Sequence, residues 1–181
     1  MNVGLLLLTH NDIGSQLLLT AKSTYGSVPM RTELLSIDYY DKPADIINLA
    51  RQYVKVLDNG KGVIILTDMF GSTPSNIAKE FSRYKNVKIV SGINLSMLLN
   101  IINYPNLNLD NLTLKAIEGG RDGVLEINDE RKKIIEMMWQ IITTDENFDP
   151  YENNLVWRVA ELIGISTRER VQIKKDYLSK I

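Results

Sequence analysis

The sequence predicts an α/β fold with a doubly wound, mainly parallel sheet and helices on both faces, followed by a small all-α C-terminal extension. Two observations lead to this prediction. Apolar, strand-like runs alternate four times with helical patterns in the N-terminal part of the chain. After Asn128 the residues Val, Thr and Gly thin out, and three helical patterns follow one another.

Short apolar runs bounded by turn residues predict the strands, and apolar residues at helical spacing predict the helices between them. The predicted strands are Val3–Thr9, Glu33–Asp38, Gly62–Thr67 and Val87–Ser91. The predicted helices are Gly14–Tyr25, Pro43–Leu57, Thr73–Tyr84 and Leu95–Asn103, with Thr73 as the N-cap of the third.

The segment after the fourth helix is predicted to hold one more helix and one more strand. Asp110 is the expected cap of this helix, and the glycines at 119, 120 and 123 are expected to end it. Val124–Ile127 is then a last short strand. These assignments place the sheet domain at residues 1–128 and a helical extension at residues 129–181.

The extension is predicted to form helices over Glu130–Thr143, Tyr151–Ile163 and Thr167–Ser179. Gly164 is the expected C-terminal stop of the second, and Ser166 is the expected N-cap of the third. About fifty residues bury little core alone, and the junction has no Pro/Gly/Ser-rich linker. The extension is therefore expected to dock on the sheet domain or to pair across a dimer.

Composition excludes several classes of protein. The 181 residues carry a net charge of -1, so the concentrated basic surface of an electrostatic nucleic-acid binder is not expected. There is no cysteine, which excludes disulfides, thiolate nucleophiles and cysteine zinc sites. The apolar run Val3–Leu8 is too short to span a membrane and lacks the flanks of a signal peptide. We therefore expect a cytoplasmic protein without direct membrane insertion.

The candidate catalytic residues are His10 and Asp68. His10, the single histidine of the chain, directly follows the first predicted strand, and Asp68 directly follows the third. These two strands are often neighbours in a doubly wound sheet, so the two side chains are expected to meet. The carboxylate would then accept a proton from one ring nitrogen and leave the other nitrogen free as a nucleophile.

A candidate phosphate-binding element follows Asp68 in the chain. Gly71, Ser72 and Thr73 precede or open a predicted helix, where unpaired backbone N–H groups attract anions. Gly71 permits close backbone approach, and the two hydroxyl groups are additional donors. Ser91 and Gly92 after the fourth strand are expected to form another wall of the same pocket.

Each of these residues also has a structural interpretation. A histidine at a strand end is often a structural or surface residue, an aspartate there is often a cap, and Ser-Thr-Pro before a helix is common capping chemistry. Only their joint placement favours phosphoryl transfer over these alternatives.

Four segments resemble, in order and spacing, the IIA domain of the mannose-type phosphotransferase system. They are Gly4–Leu18 (GLLLLTHNDIGSQLL), Leu66–Asn76 (LTDMFGSTPSN), Val90–Leu98 (VSGINLSML) and Gly120–Val124 (GRDGV). The resemblance covers residues 1 to about 128. It implies that His10 takes a phosphoryl group from the phosphocarrier protein HPr, that Asp68 is its acidic partner, and that Ser72 and Thr73 hold the group.

The resemblance also implies a homodimer, in which the strand Val124–Ile127 is exchanged between subunits, and no metal or cofactor. No IIB domain follows on this chain, as it does in some sugar-transporting relatives. Two hypotheses therefore stay open. Either His10 passes phosphate to a IIB component and a sugar uptake route, or its phosphorylation sets the choice of a regulatory target without sugar transport.

The extension is similar to half of a TerB-like, tellurite-resistance domain, with the likeness carried by residues from Trp139 to Lys175. The acidic turn of that family is replaced here by Thr144-Asp145-Glu146-Asn147. Asp145, Glu146, Asp149 and Glu152 are either an acidic cluster or a solvated turn followed by an N-cap.

Overall fold

The apolar runs of the N-terminal part form four parallel strands in a computed structural model that describes residues 2–144 and 150–179. The strands are β1 (Gly4–His10), β2 (Thr32–Ile37), β3 (Val63–Thr67) and β4 (Val87–Ser91). Their order in the sheet is β2-β1-β3-β4, and all neighbouring pairs are parallel. The predicted parallel sheet is confirmed, and β1 and β3 are neighbours at its centre.

Five helices accompany the sheet. They are α1 (Ile13–Tyr25), α2 (Pro43–Leu57), α3 (Thr73–Lys79), α4 (Leu95–Asn103) and α5 (Leu109–Asp122). The alternating residues of β1 show how the sheet is covered, because Leu5 and Leu7 pack into one apolar cluster while Leu6 and Leu8 pack into another. Residues of α1, α4 and α5 belong to the first cluster, and residues of α2 and α3 to the second. Helices therefore lie on both faces, as predicted.

Two helix N-caps differ from the prediction. Ser72 is the N-cap of α3, and Thr73 is already its first residue. Asn108 rather than Asp110 caps α5, since its side chain accepts a hydrogen bond from the amide of Asn111. Asparagine and serine cap as well as aspartate and threonine, so the cap falls at whichever residue adopts the extended backbone before the first turn.

Contrary to the prediction, Gly119 and Gly120 do not end the helix α5. The helix continues through Gly119 and Gly120 to Asp122 and ends at Gly123. A Cβ atom on Gly119 would lie 2.5 Å from the Cβ of Asn100 on α4, and one on Gly120 would lie 2.7 Å from Cε of Met97. These residues are small because two helices approach closely there, and not because the chain turns.

The predicted strand Val124–Ile127 is not formed within the single chain. Residues 124–126 are neither helix nor strand, and α6 begins at Ile127. A strand needs a hydrogen-bonding neighbour. Within the described residues β4 has β3 alone as a neighbour, so its other edge is unpaired.

The chain divides into two compact units, Met1–Val124 and Leu125–Ile181. The second unit consists of α6 (Ile127–Thr144), α7 (Pro150–Leu162) and α8 (Thr167–Leu178). It has a small core of its own around Trp139, which is 1% exposed. Ser166 caps α8 as predicted, in a reciprocal pair of hydrogen bonds with Glu169.

No helix in the part of the chain that the structure describes is both long and apolar enough to cross a lipid bilayer.

The start of β3 supplies a test of this packing. Gly62 has a φ of +82°, and a Cβ atom there would lie 2.7 Å from the backbone oxygen of Asn86. We expect Gly62→Ala to lower the free energy of unfolding by about 2–4 kcal/mol, because backbone strain and a close contact add together. The shift of the urea midpoint measures this loss.

Gly60→Ala is the matched control. Gly60 has a similar φ of +92°, but no atom lies within 4 Å of the position of its Cβ. Only the backbone strain of about 1–2 kcal/mol applies to this variant. Equal losses in both variants would contradict the close packing at Gly62.

Candidate functional site

His10 and Asp68 are brought into contact by the parallel pairing of β1 and β3. Leu8 is in register with Thr67. His10, two residues after Leu8, and Asp68, directly after Thr67, therefore lie close together at the carboxyl end of the sheet. The ring nitrogen Nδ1 of His10 lies 2.8 Å from Oδ2 of Asp68. The backbone amide of His10 donates to the same oxygen, also at 2.8 Å. Asp68 therefore holds His10 at two points.

The contact with Asp68 selects one tautomer of the His10 ring. An ionised carboxylate only accepts hydrogen bonds, so Nδ1 must carry the proton that it donates, and Nε2 of the neutral ring keeps a free lone pair. The His10 side chain is 37% exposed, whereas that of Asp68 is 11% exposed. The pair thus combines a sheltered carboxylate with a partly exposed ring whose Nε2 keeps its lone pair, the arrangement that a nucleophilic histidine needs.

The pKa of Asp68 is lowered from its ordinary value. Partial burial is the largest single influence and raises it, but the hydrogen bonds from the His10 amide, the His10 ring and the Met69 amide together outweigh burial. The Met69 amide donates to Oδ1 at 2.8 Å. Asp68 is therefore ionised at neutral pH, as the proton-accepting role beside His10 requires.

The turn from β1 into α1 is fixed by contacts that the sequence analysis missed. Asn11, directly after His10, has a φ of +42°, and its amide donates to the oxygen of Ile37 at 3.1 Å. Thr9 accepts a hydrogen bond from the amide of Gly14 at 2.9 Å. The sequence contains a signal for this turn at Asn11, because asparagine is among the few residues that adopt a left-handed conformation readily.

Gly71, Ser72 and Thr73 lie on the loop between Asp68 and α3. Gly71 has a φ of +81°, and no atom lies within 4 Å of the position of a Cβ, so its backbone is open to an approaching group. Thr73 is exposed at the first turn of α3. The hydroxyl of Ser72, by contrast, is mostly buried and donates to the oxygen of Met69 at 2.7 Å. In this structure it closes the loop.

Ser91 and Gly92 lie at the end of β4, where Ser91 is in register with Thr67. The Gly92 amide donates to the oxygen of Thr67 at 2.9 Å. Both residues line a cavity of about 640 Å³, to which Phe70 and Arg121 also contribute. Gly71, Ser72 and Thr73 do not line this cavity, so the predicted shared pocket is not observed, and only Phe70 of the loop after Asp68 reaches it.

Among the described residues, no group of three or more His, Asp or Glu side chains is placed to hold a metal ion. The acidic segment at Asp145, Glu146, Asp149 and Glu152 lies outside the part whose side chains the structure describes.

Two family models match the chain. The model EIIA-man, described as PTS system fructose IIA component, matches residues 4–118. The model TerB, described as tellurite resistance protein TerB, matches residues 121–175. The two matches do not overlap.

Curated relatives match 59% to 68% of the chain. The chain is 28% identical over 129 residues to the PTS system mannose-specific EIIAB component of Escherichia coli K12, across 68% of this chain and 39% of that protein. It is 29% identical over 111 residues to the transcriptional regulatory protein LevR of Bacillus subtilis, across 59% of this chain and 12% of LevR. The chain thus spans well under half the length of either relative.

Solved structures share the fold over 67% to 70% of the chain. The mannose/sorbose specific IIA subunit from Enterococcus faecalis aligns with a TM-score of 0.64 and 23% identity, over 70% of this chain and 96% of that one. A sigma-54 interaction domain protein from the same organism aligns with a TM-score of 0.57 and 17% identity, over 67% and 92% of the two chains.

Proposed function

We propose, since this chain belongs to the EIIA-man family of PTS system IIA components, that it carries a phosphoryl group on His10 within a phosphoenolpyruvate-dependent phosphotransferase system. One observation carries the proposal. The hydrogen bond of 2.8 Å between Nδ1 of His10 and Asp68 leaves Nε2 as the free, accessible nucleophile.

In the proposed step, the lone pair of Nε2 attacks the phosphorus of a phosphohistidine on the donor. The new N–P bond forms as the N–P bond of the donor breaks, and the donor nitrogen keeps the electron pair of the broken bond. Nδ1 of His10 retains its proton throughout. The ring consequently becomes positively charged, and the adjacent carboxylate of Asp68 stabilises that charge.

Gly71, Ser72 and Thr73 are the proposed phosphate-binding residues. The open backbone at Gly71 and the exposed hydroxyl of Thr73 support this role. Ser72 contributes only if its hydroxyl exchanges the oxygen of Met69 for a phosphoryl oxygen. This exchange replaces a neutral acceptor by a charged one, which forms the stronger hydrogen bond.

The proposed donor is the phosphocarrier HPr, and the proposed acceptor is a separate IIB component in the cytoplasm, leading to a sugar uptake route. The relative from Escherichia coli is by its name an EIIAB component, which supports a partner of the IIB type. A homodimer is also proposed, supported by the unpaired edge of β4 in the described chain.

A regulatory role is the second candidate. LevR is by its name a transcriptional regulatory protein and is as similar to this chain as the EIIAB component is. The match of residues 121–175 to TerB also sets this chain apart from a IIA component followed by a IIB domain. In this alternative His10 is still phosphorylated, but its state decides which target protein binds.

Phosphoryl uptake tests the proposed function. We expect the chain to gain one phosphoryl group, stable in base and labile in acid, when it is incubated with phosphoenolpyruvate, enzyme I and HPr from its own organism. Intact mass measures this gain. Loss of the group on addition of a IIB component favours the transport route, whereas phosphate-dependent capture of a target without loss favours regulation. The absence of uptake would contradict both.

A further inference from the structure

One residue beside the candidate site holds a left-handed backbone conformation. Asn11 directly follows His10 and has a φ of +42°, and every other residue with a positive φ in the described part of the chain is a glycine. A left-handed residue other than glycine is uncommon and costs conformational energy, so it persists only where the surrounding structure requires it. Backbone strain of this kind concentrates at functional sites.

Hydrogen bonds on both sides of β1 fix the backbone around His10. On the β3 side, the amide of His10 donates to Oδ2 of Asp68 at 2.8 Å. On the β2 side, the amide of Asn11 donates to the oxygen of Ile37 at 3.1 Å. The last peptide of β1 is therefore held between its two neighbouring strands, and the chain leaves the sheet directly after it.

The chain then turns into α1 within very few residues. β1 ends at His10 and α1 begins at Ile13. The amide of Gly14 donates to the side-chain oxygen of Thr9 at 2.9 Å, and a Cβ atom on Gly14 would lie at the same distance, 2.9 Å, from that oxygen. The helix thus starts as close to the strand as a glycine permits. A left-handed residue allows the backbone to reverse within so short a connection.

This turn controls the direction of the His10 ring. Sharp, strained turns from a strand into a helix present nucleophilic side chains in other α/β enzymes. Here the last strand residue is His10, whose ring contacts Asp68. If α1 stays in place, a change of φ at Asn11 rotates the peptide that joins Asn11 to His10 and moves the ring away from the carboxylate.

We propose that Asn11 is a positioning residue whose left-handed backbone, rather than its side chain, keeps Nδ1 of His10 on Asp68 and so leaves Nε2 with its lone pair. The effect on phosphoryl transfer rests on the proposed function, whereas the effect on the ring tautomer does not depend on it. Glycine adopts this conformation without strain and should replace asparagine. A β-branched residue should not, because its side chain excludes a positive φ.

The test compares Asn11→Gly with Asn11→Val. Nitrogen-15 NMR of the imidazole shows which ring nitrogen carries the proton, and His10 is the only histidine of the chain, so the signal has one source. We expect the proton on Nδ1 in wild type and in Asn11→Gly, and a mixture of tautomers in Asn11→Val.

Single-turnover phosphorylation by phosphoramidate, a small donor, is the second readout. The rate should fall by at least roughly tenfold in Asn11→Val, since displacing a reacting group by about 1 Å can cost about 10²-fold. In Asn11→Gly it should stay within about twofold of wild type. Asn11→Ala imposes less strain than valine, so its rate should lie between these two. It keeps the comparison decisive if circular dichroism shows that Asn11→Val does not fold.

Gly26→Val is the matched control. Gly26 lies at the other end of α1 with a φ of +83°, and no atom lies within 4 Å of the position of its Cβ. The substitution imposes the same kind of backbone strain far from His10. It should lower the stability of the fold without changing the tautomer or the rate.

Each remaining outcome decides the inference. A folded Asn11→Val protein with the wild-type tautomer and rate would overturn the positioning role. An equal loss in Asn11→Gly would assign the effect to the side chain, and an equal loss in Gly26→Val would assign it to general destabilisation, so either contradicts the proposal. Wild-type protein that holds its proton on Nδ1 but takes no phosphoryl group from phosphoramidate or charged HPr would overturn the proposed function and leave the positioning role in place.

Discussion

His10→Ala is expected to lose all phosphoryl uptake, to the detection limit of intact mass. His10 is the only histidine in the 181 residues, so no second imidazole can form the same acid-labile bond. The fold should survive, because the ring is 37% exposed and its main partner, Asp68, keeps the backbone amide of residue 10 as a donor. We expect the free energy of unfolding to change by about 1 kcal/mol or less.

His10→Gln is the companion variant. Its side-chain amide can still donate to Asp68, so the carboxylate keeps a side-chain partner while the nucleophile is absent. If both variants are as stable as wild type and neither takes up a phosphoryl group, the group is carried by the His10 ring. Uptake of a phosphoryl group by either variant would show that a different residue carries the group and would contradict the assignment to His10.

Asp68→Asn should slow transfer to His10 by roughly 10²–10⁴-fold, the range for loss of a carboxylate that orients a catalytic imidazole. The asparagine amide can donate to Nδ1, which favours the tautomer with its proton on Nε2. That tautomer has no lone pair at the attacking atom. The uncharged amide also fails to stabilise the positive ring that phosphorylation creates. Single-turnover labelling by phosphoramidate measures the rate without any contribution from protein docking.

Asp12→Asn is the control for this change. Asp12 is an exposed aspartate two residues after His10, and its backbone oxygen, not its carboxylate, accepts the hydrogen bonds of Ser15 and Gln16. Its rate with the small donor should stay within about twofold of wild type. Wild-type rates in Asp68→Asn would mean that the observed contact has no part in transfer.

Acid unfolding gives a second readout for the same variant. The pKa of Asp68 is lowered in the folded protein, so the ionised group contributes stability that is fully present above the ordinary aspartate value of about 3.9. This contribution is lost as the pH falls through the lowered pKa. The stability difference between wild type and Asp68→Asn should therefore narrow below about pH 4, as urea unfolding at neutral and acid pH can show.

The central strands and the His10–Asp68 contact could be predicted because each depends on a strong local signal. The continuous apolar runs around Leu6 and Ile65 predict buried strands, and both residues are buried in the structure. Parallel strands side by side bring their terminal residues to one edge, so the contact follows from strand order.

Other features depend on partners that the sequence does not reveal. Gly119 looks like a helix stop, but only the closeness of Asn100 on α4 explains why it is small. The Val124–Ile127 segment has strand-forming residues but no neighbour within the described chain. In both cases the deciding contact comes from another element.

The two-point attachment of His10 to one oxygen of Asp68 has an energetic consequence for a relay. The backbone amide of His10 donates one of these hydrogen bonds, and Nδ1 donates the other. Neither nitrogen is the atom that receives the phosphoryl group in the proposed step. The empty and loaded forms therefore need almost no rearrangement around the ring, and little of the group-transfer potential is dissipated as reorganisation. In the proposed relay, the direction of transfer is then set by the group-transfer potentials and the concentrations of the charged donor and the empty acceptor.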